Sequence, residues 1–506
     1  VGSEGPGTSF GGQAVLAEVY RASLSLLTDL YQLTMACAYW KSGVHGREAV
    51  FHLFFRRPPF GGGYTVACGL GPAIEFLERF RFDDSDLAYL AGLRGPDGQP
   101  LFDPAFLDFL RTLSLAIDVD AVPEGTVVFP HEPLLRVRGP ILQAQLVETP
   151  LLTLLGFPTL VATKAARIVE AARGQPVLEF GLRRAQGIDG GLTASRAAYV
   201  GGCAATSNVL AGKLFGIPVR GTQAHSWVMC FDDELEAFYA FARAMPNHSV
   251  FLVDTYNTLE GVRRAVEVGR WLRSQGHDLL GIRLDSGDLA YLSVEARKIL
   301  DQAGFSNTVI FASGDLDEHL IDNLQQQKAA IGAWGVGTKL ATAADDPALG
   351  CVYKLSAIRG ADGTWKDRLK LSEQAAKLST PGVLQVRRFV QGKEAIGDAI
   401  YDELQGLDPP CIIVDPTDPV RRKAIPPDAQ GHDLLVPVFR GGRRVYEVPS
   451  LEETRNRVRQ QLALFHAGVR RLVNPHRYPA GLEHALYARR AEIISRLRGL
   501  PEPRRT

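Results

Sequence analysis

His225 lies in the stretch GTQAHSW (residues 221–227), directly after the apolar run Ile217-Pro218-Val219-Arg220, which reads as a strand. Imidazole can act as a neutral nucleophile near pH 7 and carry a phosphoryl group on nitrogen. The heptapeptide taken alone favours a loop whose histidine only hydrogen-bonds its neighbours, and the surrounding chain overturns that preference. Other polar clusters also follow apolar runs. Asp254-Thr255-Tyr256-Asn257 either caps a helix or supplies the carboxylate that fixes a histidine tautomer. Arg283-Leu284-Asp285-Ser286-Gly287-Asp288 concentrates charge where burial is costly unless the charges are paired or used. Phe180-Gly181-Leu182-Arg183-Arg184 sets an aromatic face beside guanidinium groups, a combination suited to a flat anionic ring. Ser313-Gly314-Asp315 and Gly335-Val336-Gly337-Thr338-Lys339 are small-residue turns entering helices, where backbone N–H groups can approach a phosphate.

The elements that must position these clusters follow from periodicity. From about Glu148, strands are expected at 176–180, 217–220, 249–254, 279–284, 308–312 and 333–337. Helices are expected at 149–172, 195–215, 259–274, 289–303 and 317–327. Such alternation implies parallel βαβ units. Polar clusters at the strand ends favour a (β/α) barrel with chemistry at its C-terminal face, a doubly wound sheet being the alternative. Two successive small-residue turns on the last units form the phosphate corner of such a barrel. Residues 26–147 have mixed α and β character, with a helix starting near Thr28, a strand at 49–55, a helix at 71–80 and an edge strand or hairpin over 127–137. After Tyr353 the pattern breaks into hairpin-like and Pro-rich pieces.

At 506 residues the chain is too long for one core. Lys plus Arg equals Asp plus Glu at 56 each, which gives no support to general nucleic-acid binding. The 6 cysteines are scattered without a C-x-x-C pair, which argues against a zinc site or disulfide framework and for a reducing cytoplasm. No uninterrupted apolar run reaches the roughly 20 residues of a membrane span. The Gly/Ser-rich start reads as a flexible tail over residues 1–25 and not as a signal peptide.

The assembled motifs resemble the nicotinate phosphoribosyltransferase family. The resemblance rests on LLTDLYQLTMA (26–36), FHLFFRRPPFGGGY (51–64), QLVETPLLTLL (145–155), TLVATKAARI (159–168) and FGLRRAQG (180–187). It continues through ATSNVLAGKLFGIPVRGTQAHSW (205–227), VDTYNT (253–258), IRLDSGDL (282–289), GVGTKL (335–340) and GCVYKL (350–355), with a looser match beyond. It implies an irregular (β/α) barrel at 148–355 and a sandwich-like α/β domain built from residues 26–147 and 356–506. The implied reaction joins nicotinate to 5-phosphoribosyl 1-pyrophosphate, giving nicotinate mononucleotide and pyrophosphate. ATP hydrolysis is coupled through a phosphohistidine, with Mg²⁺, in a homodimer whose sites are completed by the partner.

By motif position the resemblance makes His225 the phosphoryl carrier, Asp254 its orienting carboxylate and Asp285 a partner for ribose or Mg²⁺. Tyr31 and Phe180 are similar to the residues that face the pyridine ring from opposite sides, Tyr31 from the neighbouring subunit. Thr222 and Arg283 match nicotinate contacts, and Arg183 falls near the ring or ribose phosphate. Gly314, Asp315, Gly337 and Thr338 match the ribose- and phosphate-binding turns. The alternatives are the related nicotinamide phosphoribosyltransferases, the shorter quinolinate enzymes and a non-catalytic barrel that binds phosphoribosyl ligands. Residues 207–215 offer no acid of the kind an amide substrate calls for.

Overall fold

Six parallel strands form the sheet that carries the chemistry. The computed structural model describes residues 23–374, 377–407 and 409–500, so the expected N-terminal tail lies outside the described residues up to residue 22. The strands run in the spatial order Ala205–Thr206, Val177–Glu179, Ala333–Val336, Val309–Ala312, Gly281–Leu284 and Val250–Leu252. All neighbours are parallel, and Arg283 sits between Leu252 and Phe311. One more extended segment continues the series: Thr206 N donates to Pro218 O and Arg220 N to Thr206 O, both at 3.0 Å. No backbone ladder joins this segment to Val250–Leu252. The His248 imidazole Nε2 instead bonds the Gly221 carbonyl at 2.8 Å across the seam. The result is an irregular (β/α) barrel.

The helices form for local reasons. In Thr258–Ser274 the buried residues Val262, Ala265, Val266, Gly269 and Leu272 recur at helical spacing, and Asn257 caps the start by accepting from Glu260 N at 3.1 Å. Asp288 likewise caps Leu289–Gln302 through Tyr291 N at 3.0 Å. The single helix expected at 195–215 is two, Gly187–Val200 and Val209–Phe215. Gly202, at φ 115, stops the first, Ala205–Thr206 joins the sheet, and Asn208 caps the second.

A seven-stranded sheet mixes distant parts of the chain. Glu48–Phe54, Asp118–Ala121 and Leu135–Pro140 share it with Val352–Arg359, Trp365–Asp367, Val436–Arg440 and Arg443–Arg444. The edge strand or hairpin expected over 127–137 is two strands not paired with each other: Val127–Val128 pairs with Thr65–Val66, and Leu135–Pro140 lies inside the sheet, paired on both sides. The second six-stranded sheet is made of C-terminal strands. A boundary at 355 would cut Val352–Arg359, whose length pairs with Glu48–Phe54. We propose that the barrel ends before Val352 and that this strand belongs to the sandwich.

The helix Glu148–Ala171 joins the two units. Its 24 residues are long and apolar enough to cross a membrane by length and composition, although no uninterrupted apolar run is present in the sequence. Here it is a core helix. Its Lys164 and Arg167 are fully buried and converge on Glu318 of the barrel helix Glu318–Gln326, at 2.8 Å and 2.9 Å. Lys164 also reaches Asp345 at 3.1 Å and lies 4.8 Å from the Phe60 ring centre. Burial pushes the Glu318 carboxyl up, but the Lys164 and Arg167 charges hold it below the usual carboxylate range. Glu318→Gln leaves buried Arg167 without its carboxylate and Lys164 with Asp345 alone, and is expected to cost about 3–5 kcal/mol in urea unfolding. Because the folded carboxyl is depressed, its stabilisation is present above the unfolded value of about 4.3 and is lost as pH falls through the folded one. The stability gap between parent and variant should therefore narrow in acid.

Candidate active site

Each cluster emerges at the C-terminal end of a parallel strand, so the barrel brings them together. A cavity of about 240 Å³ is lined by Phe180, Arg183, Arg184, Arg283, Asp285, Ser313, Gly314, Asp315, Gly335, Gly337 and Thr338. Phe180 N donates to Val336 O at 2.8 Å, which fixes the residue against the neighbouring strand. A Cβ on Gly335 would come within 2.7 Å of the Phe180 ring, so only glycine leaves the ring its place. The buried Glu179 braces the strand end by accepting from Ser195 Oγ at 2.9 Å, Thr206 Oγ1 at 2.6 Å and the Gly181 N–H. Gly314, at φ 109, turns so closely under Asp285 that a Cβ would lie 2.7 Å from its carbonyl oxygen.

Arg283 is the organising side chain. Its Nε donates to Ser313 Oγ at 2.7 Å, Nη1 to Thr222 Oγ1 at 3.0 Å and Nη2 to Asp285 Oδ1 at 2.6 Å. Its guanidinium carbon lies 5.9 Å from the Phe180 ring centre. This holds a cation at the edge of an aromatic face. Burial pushes the Asp285 carboxyl up, yet the Ser313 hydrogen bond and the Arg283 charge hold it below the usual carboxylate range, with a smaller contribution from His225. Arg183 and Arg184 have no ion pair within 4.0 Å among the described residues, which leaves their charges to the cavity.

His225 is the first residue of a short helix, His225–Met229, and not a loop residue. It is not among the residues that line the cavity. Its Nδ1 is 3.1 Å from Thr255 Oγ1. Asp254, expected to orient the imidazole, turns the other way. Its Oδ2 accepts from Asp285 N at 2.9 Å and Ser286 Oγ at 2.7 Å, so it holds the Asp285 turn. The structure places Thr255 on the imidazole instead. The side chains missed from sequence are Thr255, Ser313 and Arg184. Ser313 and Arg184 adjoin assigned residues within their clusters, and Thr255 follows Asp254 directly. Gln223 is also buried with neither amide atom hydrogen-bonded among the described residues.

Tyr31 is not brought to this cavity. It lies half-exposed on Leu30–Lys41, near Glu148 and Asp29. Glu148 also faces Lys354, whose ammonium is held below its usual range by burial and by the nearby Arg56 and Lys370 charges. Among the described residues no group of three or more His, Cys, Asp or Glu side chains converges as a metal cluster.

Family models match along the chain: the nicotinate phosphoribosyltransferase N-terminal domain over residues 26–156, the family domain over 176–367 and the C-terminal domain over 385–490. The chain belongs to the nicotinate phosphoribosyltransferase family. The last match extends the resemblance into the segment where the motifs were loose. A nicotinate phosphoribosyltransferase of Bacillus subtilis (strain 168) is 43% identical over 477 residues, covering 93% of this chain and 95% of that one. The Homo sapiens nicotinate phosphoribosyltransferase is 36% identical, with 93% and 97% covered. The crystal structure of human nicotinic acid phosphoribosyltransferase superposes with a TM-score of 0.79 at 34% identity, over 92% of this chain and 99% of that one. A nicotinate-nucleotide pyrophosphorylase from Pyrococcus furiosus shares the fold at a TM-score of 0.68 and 24% identity, over 88% and 97%.

Removing the Ser313 hydroxyl takes away a hydrogen bond that stabilises ionised Asp285. Ser313→Ala should raise the carboxyl's pKa, and the acidic limb of the pH profile of kcat/KM should move to higher pH. An unmoved limb would mean that Asp285 ionisation does not govern that limb.

Proposed function

We infer that this chain joins nicotinate to 5-phosphoribosyl 1-pyrophosphate, forming nicotinate mononucleotide and releasing pyrophosphate. The observation that carries the reading is Arg283, locked by Ser313, Thr222 and Asp285 at the edge of the Phe180 ring. A flat ring bearing a carboxylate fits that pairing of aromatic face and fixed cation. The turns at Gly314-Asp315 and Gly337-Thr338, with Arg183, suit the phosphates of the second substrate. As pyrophosphate leaves the ribose C1, positive charge develops there, and the pyridine nitrogen attacks from the opposite face. The protein holds the ring in line and stabilises the departing anion with fixed donors.

The family implies dependence on ATP and Mg²⁺. Asp285 spends Oδ1 on Arg283 and Ser313, which leaves Oδ2 for a hydrated ion; Asp315 lines the same cavity. These two carboxylates would hold a Mg²⁺ ion that came with the substrate phosphates, and the ion would supply charge neutralisation of the leaving group. His225 is the candidate phosphoryl acceptor from ATP, held through Nδ1 by Thr255. Tyr31, with the basic patch of Lys354, Arg56 and Lys370, would complete the site of a second subunit in a homodimer. Tyr31 does not line the Phe180 cavity within one chain, which supports that reading.

Pyrophosphate release from nicotinate and phosphoribosyl pyrophosphate, with and without ATP, tests the activity; preferred turnover of nicotinamide would overturn the substrate assignment. Arg283→Leu should lower kcat/KM for nicotinate about 10- to 100-fold, the worth of lost charge-assisted hydrogen bonds. With γ-labelled ATP the parent should acquire acid-labile, alkali-stable label and His225→Ala none; equal labelling would remove His225 from the phosphoryl role. Mixing Tyr31→Ala chains with Arg283→Leu chains should give more activity than either variant shows alone. If the mixture stays as inactive as its components, the shared site is refuted.

A further inference from the structure

A second concave basic surface lies on the C-terminal unit and shares no residue with the cavity at the strand ends. Two adjoining cavities, of about 330 Å³ and 320 Å³, meet at Lys423, Tyr478 and Pro479. The first is walled by the apolar Ile396, Val469 and Pro479, with Lys423, Arg471, His466 and His476 as its basic groups and Glu394 as its acid. The second adds Arg421, Arg422 and Arg477, with Asp415. Asp415 is already committed. It pairs with Arg477 at 2.5 Å and accepts from Thr417 N, Thr417 Oγ1 and Asp418 N at 2.9, 2.8 and 3.1 Å. Among the described residues Arg421, Arg422, Lys423 and Arg471 have no carboxylate within 4.0 Å, so Glu394 alone faces their charge. His466 Nδ1 accepts from Gly468 N at 3.0 Å, which puts the proton of the neutral imidazole on Nε2 as a further donor.

Charged residues on an edge strand often serve only to block edge-to-edge pairing, and Arg422–Ala424 is the edge of its sheet. That role needs no concavity and no second segment. Here His466, Arg471 and His476 come from a different part of the chain and converge on the same cavity. In a chain of zero formal net charge, such uncompensated cations in a concave surface mark an anion site.

We propose that this groove binds an oligophosphate anion, either free or as the phosphate chain of a nucleotide. The charges spread over two joined cavities pivoting on Lys423, which suits a string of phosphates better than one. The apolar wall gives a nucleoside a place to lie.

The test is titration calorimetry on the full chain, with inorganic triphosphate and, separately, a β,γ-imido analogue of ATP as probes. The parent should show two classes of site per chain. The double variant Lys423→Met/Arg471→Met should lose one class or bind it at least tenfold more weakly, while Arg183→Leu/Arg184→Leu affects the other. Lys423→Arg should retain binding, and thermal melts should show that the variants are folded. Equal affinity for both probes identifies the phosphate chain as the ligand, and tighter binding of the analogue identifies a nucleotide. A double variant that keeps both classes at the parent's stoichiometry and affinity, or a single class of site in the parent, overturns the proposal. Either result leaves the reading of the strand-end cavity untouched, since that rests on pyrophosphate release.

Discussion

One buried carboxylate compensates two buried cations, and the relation between the two structural units depends on it. Glu318 has no access to water, and neither do Lys164 and Arg167, which it bridges. Ions in that setting are tolerable only when they meet in good geometry. The geometry requires the long helix Glu148–Ala171 to lie in one position against the barrel helix Glu318–Gln326. It also ties in the loop at Asp345 and the segment at Phe60. That segment follows Arg56, while the loop follows the Gly337–Thr338 turn. The same cluster thus bears on both the strand-end cavity and the surface around Tyr31.

Within the barrel a second network does comparable work at smaller scale. Arg283 gathers Ser313, Thr222 and Asp285 from three strand ends, and Asp254 draws in the Asp285 turn from a fourth. Each contact is a charge-assisted or side-chain hydrogen bond, and all but the Arg283–Asp285 pair join different strand ends, so their positions are coupled. Pre-set donors and a fixed aromatic face are what a reaction with a short-lived cationic centre requires. The protein achieves this with few residues because parallel register brings every strand end to one edge.

Much of this was legible in the chain. The alternation of strands and helices, and the cluster after each strand, foretold the barrel and the convergence of Phe180, Arg283, Asp285 and the two glycine turns. What the sequence concealed has physical causes. Asp254 and Thr255 are adjacent, and only the backbone at the strand end decides which side chain turns to the imidazole. Asp288 looked chemical but caps a helix, as Asp residues just before a helix commonly do. The expected helix over 195–215 failed because a Gly-Gly pair can stop a helix and a two-residue strand leaves no periodic trace. The shared sheet of the sandwich joins strands some three hundred positions apart, a pairing that no local pattern encodes.

The seam of the barrel has a consequence of its own. The segment before His225 is bonded to the sheet on one flank, through Thr206, and meets Val250–Leu252 only through the His248 imidazole. The loop that follows is held on that flank by side chains, Thr222 by Arg283 and His225 by Thr255, where the rest of the sheet is held by backbone ladders. A change in one side chain at the seam therefore reaches the position of His225, whereas elsewhere in the sheet the backbone alone sets the register.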